Sequence, residues 1–75
     1  MAISKEQAMA KLKELILQLN TTYENVGALR DGLTNWPEQG RLKQPVNAVR
    51  TMLHHSIRDL NSLKHYIEEM EVQND

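Results

Sequence analysis

Cysteine is absent from the chain, which removes disulfide frameworks, cysteine-ligated zinc and thiol nucleophiles in one step and agrees with a reducing compartment. Long apolar runs are missing too: none approaches the roughly 18 residues needed to span a membrane. The opening segment Met1-Ala2-Ile3-Ser4-Lys5-Glu6 has no apolar signal core, so the expected location is cytoplasmic, with no membrane partner. Asn20-Thr21-Thr22 fits the glycosylation pattern but has no meaning without export. An excess of either charge is also lacking, since nine Lys and Arg stand against ten Asp and Glu. The chain as a whole is therefore neither a polycation made for nucleic acid nor an acidic tail, and charge arguments must be local. Internal repeats and alternating strand patterns are missing, which argues against a sheet. At 75 residues the chain forms a single domain with little material for an independent core.

What is present is helical periodicity. Ser4 followed by Gln7 has the form of a capping box, in which each side chain satisfies a backbone N–H at a helix start. With Leu12 at heptad position a, Leu19, Val26 and Leu33 also fall on a, and Ala8, Leu15, Thr22 and Leu29 fall on d. The pattern predicts a first helix over about 4–33. Asn20, Thr21, Thr22 and Gly27 are weaker helix formers and admit a break in its middle. Gly32 and the run Thr34-Asn35-Trp36-Pro37-Glu38-Gln39-Gly40 predict a turn over about 34–44. Pro45 suits the first turn of a second helix, over about 45–72. There Val46, Leu53, Leu60 and Ile67 occupy a, and Val49, Ser56, Leu63 and Met70 occupy d.

The expected fold is all-α, a two-helix antiparallel hairpin that dimerises into a four-helix bundle. Each helix carries more apolar surface than one neighbour covers: Met9, Ile16 and Tyr23 lie on e of the first helix, and Met52, Ile57 and Tyr66 flank the stripe of the second. These six are the candidate oligomer interface, with a dimer favoured. Charge order supports the folding-back. The second helix carries Arg50 and Arg58 towards its start and Glu68, Glu69 and Glu71 at its end, against its own dipole. An antiparallel partner brings Lys5, Lys11 and Lys13 to the acidic end, and Glu24 and Asp31 to the basic one.

Chemistry is sparse. His54, His55 and His65 lack the three- or four-residue spacing of helical metal ligands and fall on outer positions, so no metal site is expected. His55 and Asp59, four apart, make an exposed helix pair. Glu68 and Glu69 are adjacent and diverge on a helix. No catalytic elbow, phosphate loop or zinc-hydrolase helix is present, and the expectation is a non-enzymatic protein without cofactors or catalytic residues. Thr22 and Ser56, polar within the stripe, either set register or bond their own helix's preceding carbonyl. Met52 and Met70 read as core filling.

The segment most like a recognition surface is the turn, where Trp36, Arg41 and Lys43 stand with Arg30 and Arg50 on the adjoining helix ends. Trp with clustered cations is a platform for a phosphate or a base, or else a cap in which the indole covers Leu33 and Leu42. By length and heptads alone the chain resembles the short two-helix plasmid regulators that pair into four-helix bundles and bind RNA loops. That likeness is one of shape and transfers no function. The turn lacks the Trp-x-Gly spacing of secreted helical hairpins. The functional expectation is a small regulatory or interaction protein that presents a helical surface to a partner protein. The alternative is a nucleic-acid or anionic-ligand binder acting through the basic turn.

Overall fold

The computed structural model describes residues 2–70 and consists of two antiparallel helices, α1 (Lys5–Gly32) and α2 (Gln39–Glu69). No strand occurs among the described residues. The start of α1 is the capping box: the Ser4 backbone N–H donates to Gln7 Oε1 at 2.9 Å, and the Gln7 backbone N–H donates to Ser4 Oγ at 3.1 Å. Two of the orphan donors at the helix start are satisfied in this way.

The helix runs unbroken through Asn20–Gly27. Its weaker formers are held by their own side chains. Asn20 Nδ2 donates to the Ile16 carbonyl at 3.0 Å and Thr22 Oγ1 to the Gln18 carbonyl at 2.9 Å, so these polar groups follow the helix instead of competing with it. The side-chain atoms nearest the place of a Cβ on Gly27 belong to Arg50, the closest at 3.7 Å, an ordinary contact distance. Gly27→Ala is therefore expected to raise stability by about 0.5–1 kcal/mol, read from the urea midpoint, because alanine lowers the entropy of the unfolded chain without a clash.

The turn is shorter than the sequence pattern predicts. Helix α2 begins at Gln39, six residues before the expected start, and Pro45 lies inside it. The reason is local. Proline at this depth lacks the N–H that would reach the Arg41 carbonyl, but that carbonyl belongs to the exposed first turn, where water can donate to it. The first turn is also tightened, with the Arg41 and Leu42 N–H groups both donating to the Glu38 carbonyl at 2.9 and 3.3 Å. Glu38, the residue before the helix, sits in the left-handed region at φ 61°, ψ 30°, a conformation that costs a non-glycine residue about 1–2 kcal/mol. Its carboxylate meets Arg41 Nη1 at 3.1 Å. The other end of α2 is at Glu69, with Met70 as its cap. The expected extension to Val72 falls outside the described residues.

The two ends of the hairpin are tied as the dipole requires, by a different acceptor from the one expected. Lys5 Nζ donates to the backbone carbonyls of Glu68 and Met70, both at 2.9 Å, so the ammonium caps the C-terminal carbonyls of α2. Glu68 is paired within its own helix with Lys64 at 3.5 Å, and Glu69 with His65 at 3.2 Å. No ion pair joins Lys11 or Lys13 to this acidic end among the described residues. At the other end Asp31 is taken by Arg30 at 3.2 Å.

The seam between the helices settles which heptad flank each turns inward. In α1 the covered positions are Lys5, Met9, Leu12, Ile16, Leu19, Tyr23, Val26 and Arg30, with Ala8 and Gly27 at the edges of the seam and Leu33 at the cap; in α2 they are Val46, Arg50, Leu53, Ile57, Leu60, Lys64 and Ile67, with Leu42 and Asn47 near its start. Apart from Ala8 and Leu42 on d and Gly27 and Asn47 on b, these are a and e in both helices. Leu12, 6% exposed, is the only buried residue among the described residues. Most of the d row is left outside, with Leu15 at 44% and Leu63 at 46% exposure. Met9, Ile16, Tyr23 and Ile57, candidates for an oligomer interface by sequence, are thus half-covered by the hairpin itself, whereas Met52 and Tyr66 are exposed.

Candidate functional site

At about 100° per residue, d lies about 80° to one side of an a/e seam and b about 80° to the other. In an antiparallel pair, like-lettered flanks fall on the same side of the hairpin, because the two helices are related by an approximate twofold axis normal to their common plane. One face therefore carries Ala8, Leu15, Thr22 and Leu29 from α1 beside Val49, Ser56 and Leu63 from α2 and Met70 at its cap. The opposite face carries Lys13, Asn20 and Gly27 beside Asn47, His54, Asn61 and Glu68. The first is uncharged along its whole length and the second is polar. Leu29, Val49 and Met70 are all exposed large hydrophobic residues on the first face, and position g beside it carries Met52 and Tyr66 together with Lys11 and Asp59.

Tyr23 and His54 have ring centroids 6.4 Å apart, which places Thr22 and Ser56 at nearly the same level of the hairpin. Thr22 has its hydroxyl bonded to its own helix, so the uncharged face carries no unsatisfied threonine donor at mid-length.

The molecule is unusually open. Its radius of gyration is 17.1 Å, where a compact chain of this length has about 11 Å. Its accessible surface is 6178 Å², where a compact monomer of this mass exposes about 4,700 Å². Giving the six residues outside the description the whole area of an extended chain still leaves a surplus of about 700 Å².

The basic turn is less concerted than its sequence suggests. Trp36 is 59% exposed and does not close the end of the hairpin. Arg30 and Lys43 share a cleft with Asp31, Leu33, Leu42 and Val46, but Trp36 is not part of it. Arg41 is held by Glu38. Arg50 lies two turns further along α2, over the Tyr23 ring at 4.6 Å. The five residues of the predicted surface are therefore distributed over several environments. Trp36→Ala is expected to shift the melting temperature by no more than a few degrees, since a mostly exposed side chain contributes roughly 1 kcal/mol or less. A loss of ten degrees or more in a thermal scan would contradict that placement.

The histidines are all exposed. His54 and His55 have ring centroids 6.2 Å apart, and no group of three or more metal-ligating side chains forms among the described residues. Asp59 meets Arg58 at 3.6 Å in place of the expected His55 pair. No helix among the described residues is long and apolar enough to cross a membrane. No family model, curated protein or solved structure matches the chain.

Proposed function

We propose that this chain is a small non-enzymatic interaction protein of regulatory type. Its working unit is a homodimer, two hairpins closing through their uncharged faces into a cytoplasmic four-helix bundle that presents its remaining helical surface to a partner protein. The observation that carries this reading is the orientation of α2. A hairpin built to stand alone gains most by covering its more apolar flank. Helix α2 instead turns Arg50 and Lys64 towards α1 and leaves Val49, Leu63 and Met70 uncovered.

The area and charge of that face fit a second copy. A surplus of about 700–1,500 Å² is of the order of the ~800 Å² per partner that a standard stable interface covers. Neither d row carries a charge, so two copies can meet through it without burying an unpaired ion or opposing like charges. In such a bundle e supports the contact within each hairpin and g the contact between hairpins, which gives Met52 and Tyr66 a place at the dimer flank.

The test of the partner-binding part is capture by the tagged full chain with and without nuclease, beside a variant that cannot dimerise. A protein retained after nuclease treatment by the wild type and lost by the variant supports the reading. Capture that disappears with nuclease favours the nucleic-acid alternative.

A further inference from the structure

Four cations occupy seam positions of the hairpin and are half-buried there: Lys5, Arg30, Arg50 and Lys64. Three of them have oxygen acceptors. Lys5 donates to two helix-end carbonyls, Arg30 to Asp31 and Lys64 to Glu68. Arg50 has none among the described residues, and its Nε is inaccessible to solvent and without a hydrogen-bond partner. Withdrawing a charged group's donor from water without replacing its bond is costly, and a cation over an aromatic face recovers only part of that.

The guanidinium is nonetheless held in place. Its carbon lies 4.6 Å from the Tyr23 ring centroid, and Nε and Nη2 lie 3.7 and 3.8 Å from where a Cβ of Gly27 would stand. Tyr23 and Gly27 are one helical turn apart, so the arginine rests across α1 with its orientation fixed from both. The same side chain lines an open cleft with Tyr23, Asn47, Thr51 and His54. No carboxylate lines it. Asn47, Thr51 and His54 are spaced four and three residues apart and so line one face of α2, and each can donate, through an amide, a hydroxyl or an imidazole N–H.

We propose that Arg50, held against Tyr23 and Gly27, forms with Asn47, Thr51 and His54 a binding site for a single oxyanion group, a phosphate or a carboxylate. A fixed, partly desolvated guanidinium is a stronger and more directional anion ligand than a mobile one in water, and with Nε sealed against α1 its terminal N–H groups are the ones left to meet an oxyanion in the cleft. Asn47 and His54 lie on the face opposite the d rows, two turns from the basic turn. The site therefore requires neither dimerisation through those rows nor the Trp36 platform, and it would remain open in a bundle closed through the d rows.

The test is a titration of the full chain, followed through the Arg50 Nε–H cross-peak in nitrogen-edited NMR spectra, with sodium phosphate in one series and sodium acetate in another. Ionic strength is held constant with chloride. A saturable shift of Arg50, not shared by Arg58, is the expected result. Saturation by phosphate alone assigns the site to phosphoryl groups, by acetate alone to carboxylates, and by both to oxyanions generally. Arg50→Lys keeps the charge and loses the fork, and should weaken binding at least about tenfold, the value of one charge-assisted hydrogen bond. For that variant the amide peaks of Thr51 and His54 are followed, and circular dichroism checks that it stays folded. Arg58→Lys should change nothing. A non-saturating response shared equally by Arg58 would overturn the proposal, because it describes an adventitious ion only. So would unchanged affinity in a folded Arg50→Lys variant.

Discussion

Leu60→Glu will abolish the cooperative thermal transition at neutral pH. Leu60 stands at position a of α2, half-covered by α1 and on the edge of the uncharged face, so a carboxylate there is drawn partly out of water in a seam whose nearest cation, Lys64 one turn on, is already engaged by Glu68. The cost of a buried unpaired charge, about 3–5 kcal/mol, approaches the whole stability of a chain this small, of order 5 kcal/mol. Loss of the helical circular-dichroism signal at 25 °C, or a broad transition without a baseline, is the expected readout. A variant melting within a few degrees of the wild type would mean that position a faces solvent, against the seam described above.

Paired substitution of the d rows has an effect of similar size and a different meaning. Leu15 and Leu63 are nearly half exposed in a single hairpin, so replacing both by Glu costs a lone hairpin little, within about 1 kcal/mol. In a dimer closed through this face the same two changes bury four carboxylates near one another, and the interface does not form. The double variant is therefore expected to run as a monomer and to lose most of its melting cooperativity, while Lys13→Glu with Asn61→Glu, on the opposite face, leaves the mass unchanged. If both pairs of substitutions leave association and melting alike, the uncharged face does not mediate pairing.

Much of this architecture is legible in the residues, and the part that is not has a physical cause. The capping box of Ser4 and Gln7 and the a rows of both helices are read directly, because each depends on local spacing. The flank turned inward is not. Met9, Ile16 and Tyr23 on e compete with Ala8, Leu15 and Leu29 on d, and an a/d and an a/e seam have the same average period. The inward placement of Arg50 and Lys64 decides it in the structure, since long basic side chains can lie along a seam with their heads at its open edge. A sequence pattern ranked by hydrophobicity alone sends them outward.

The start of α2 was hidden for a related reason. Pro45 is most economical at a helix's first position, yet an early turn with water at hand tolerates it at the seventh. The candidate surface around Trp36 drew on residues close in sequence, but Glu38 and Asp31 engage Arg41 and Arg30, and Arg50 belongs to a cleft on Tyr23. The lack of an acceptor for Arg50 has no sequence signal, since it depends on which residues α1 places beside it.

Sedimentation equilibrium of the wild-type chain at micromolar concentration, combined with melting curves across a concentration series, tests the central claim most directly. A species of twice the 8.7 kDa chain mass and a melting temperature that rises with concentration are the expected results. A single 8.7 kDa species with a concentration-independent melting temperature would contradict it.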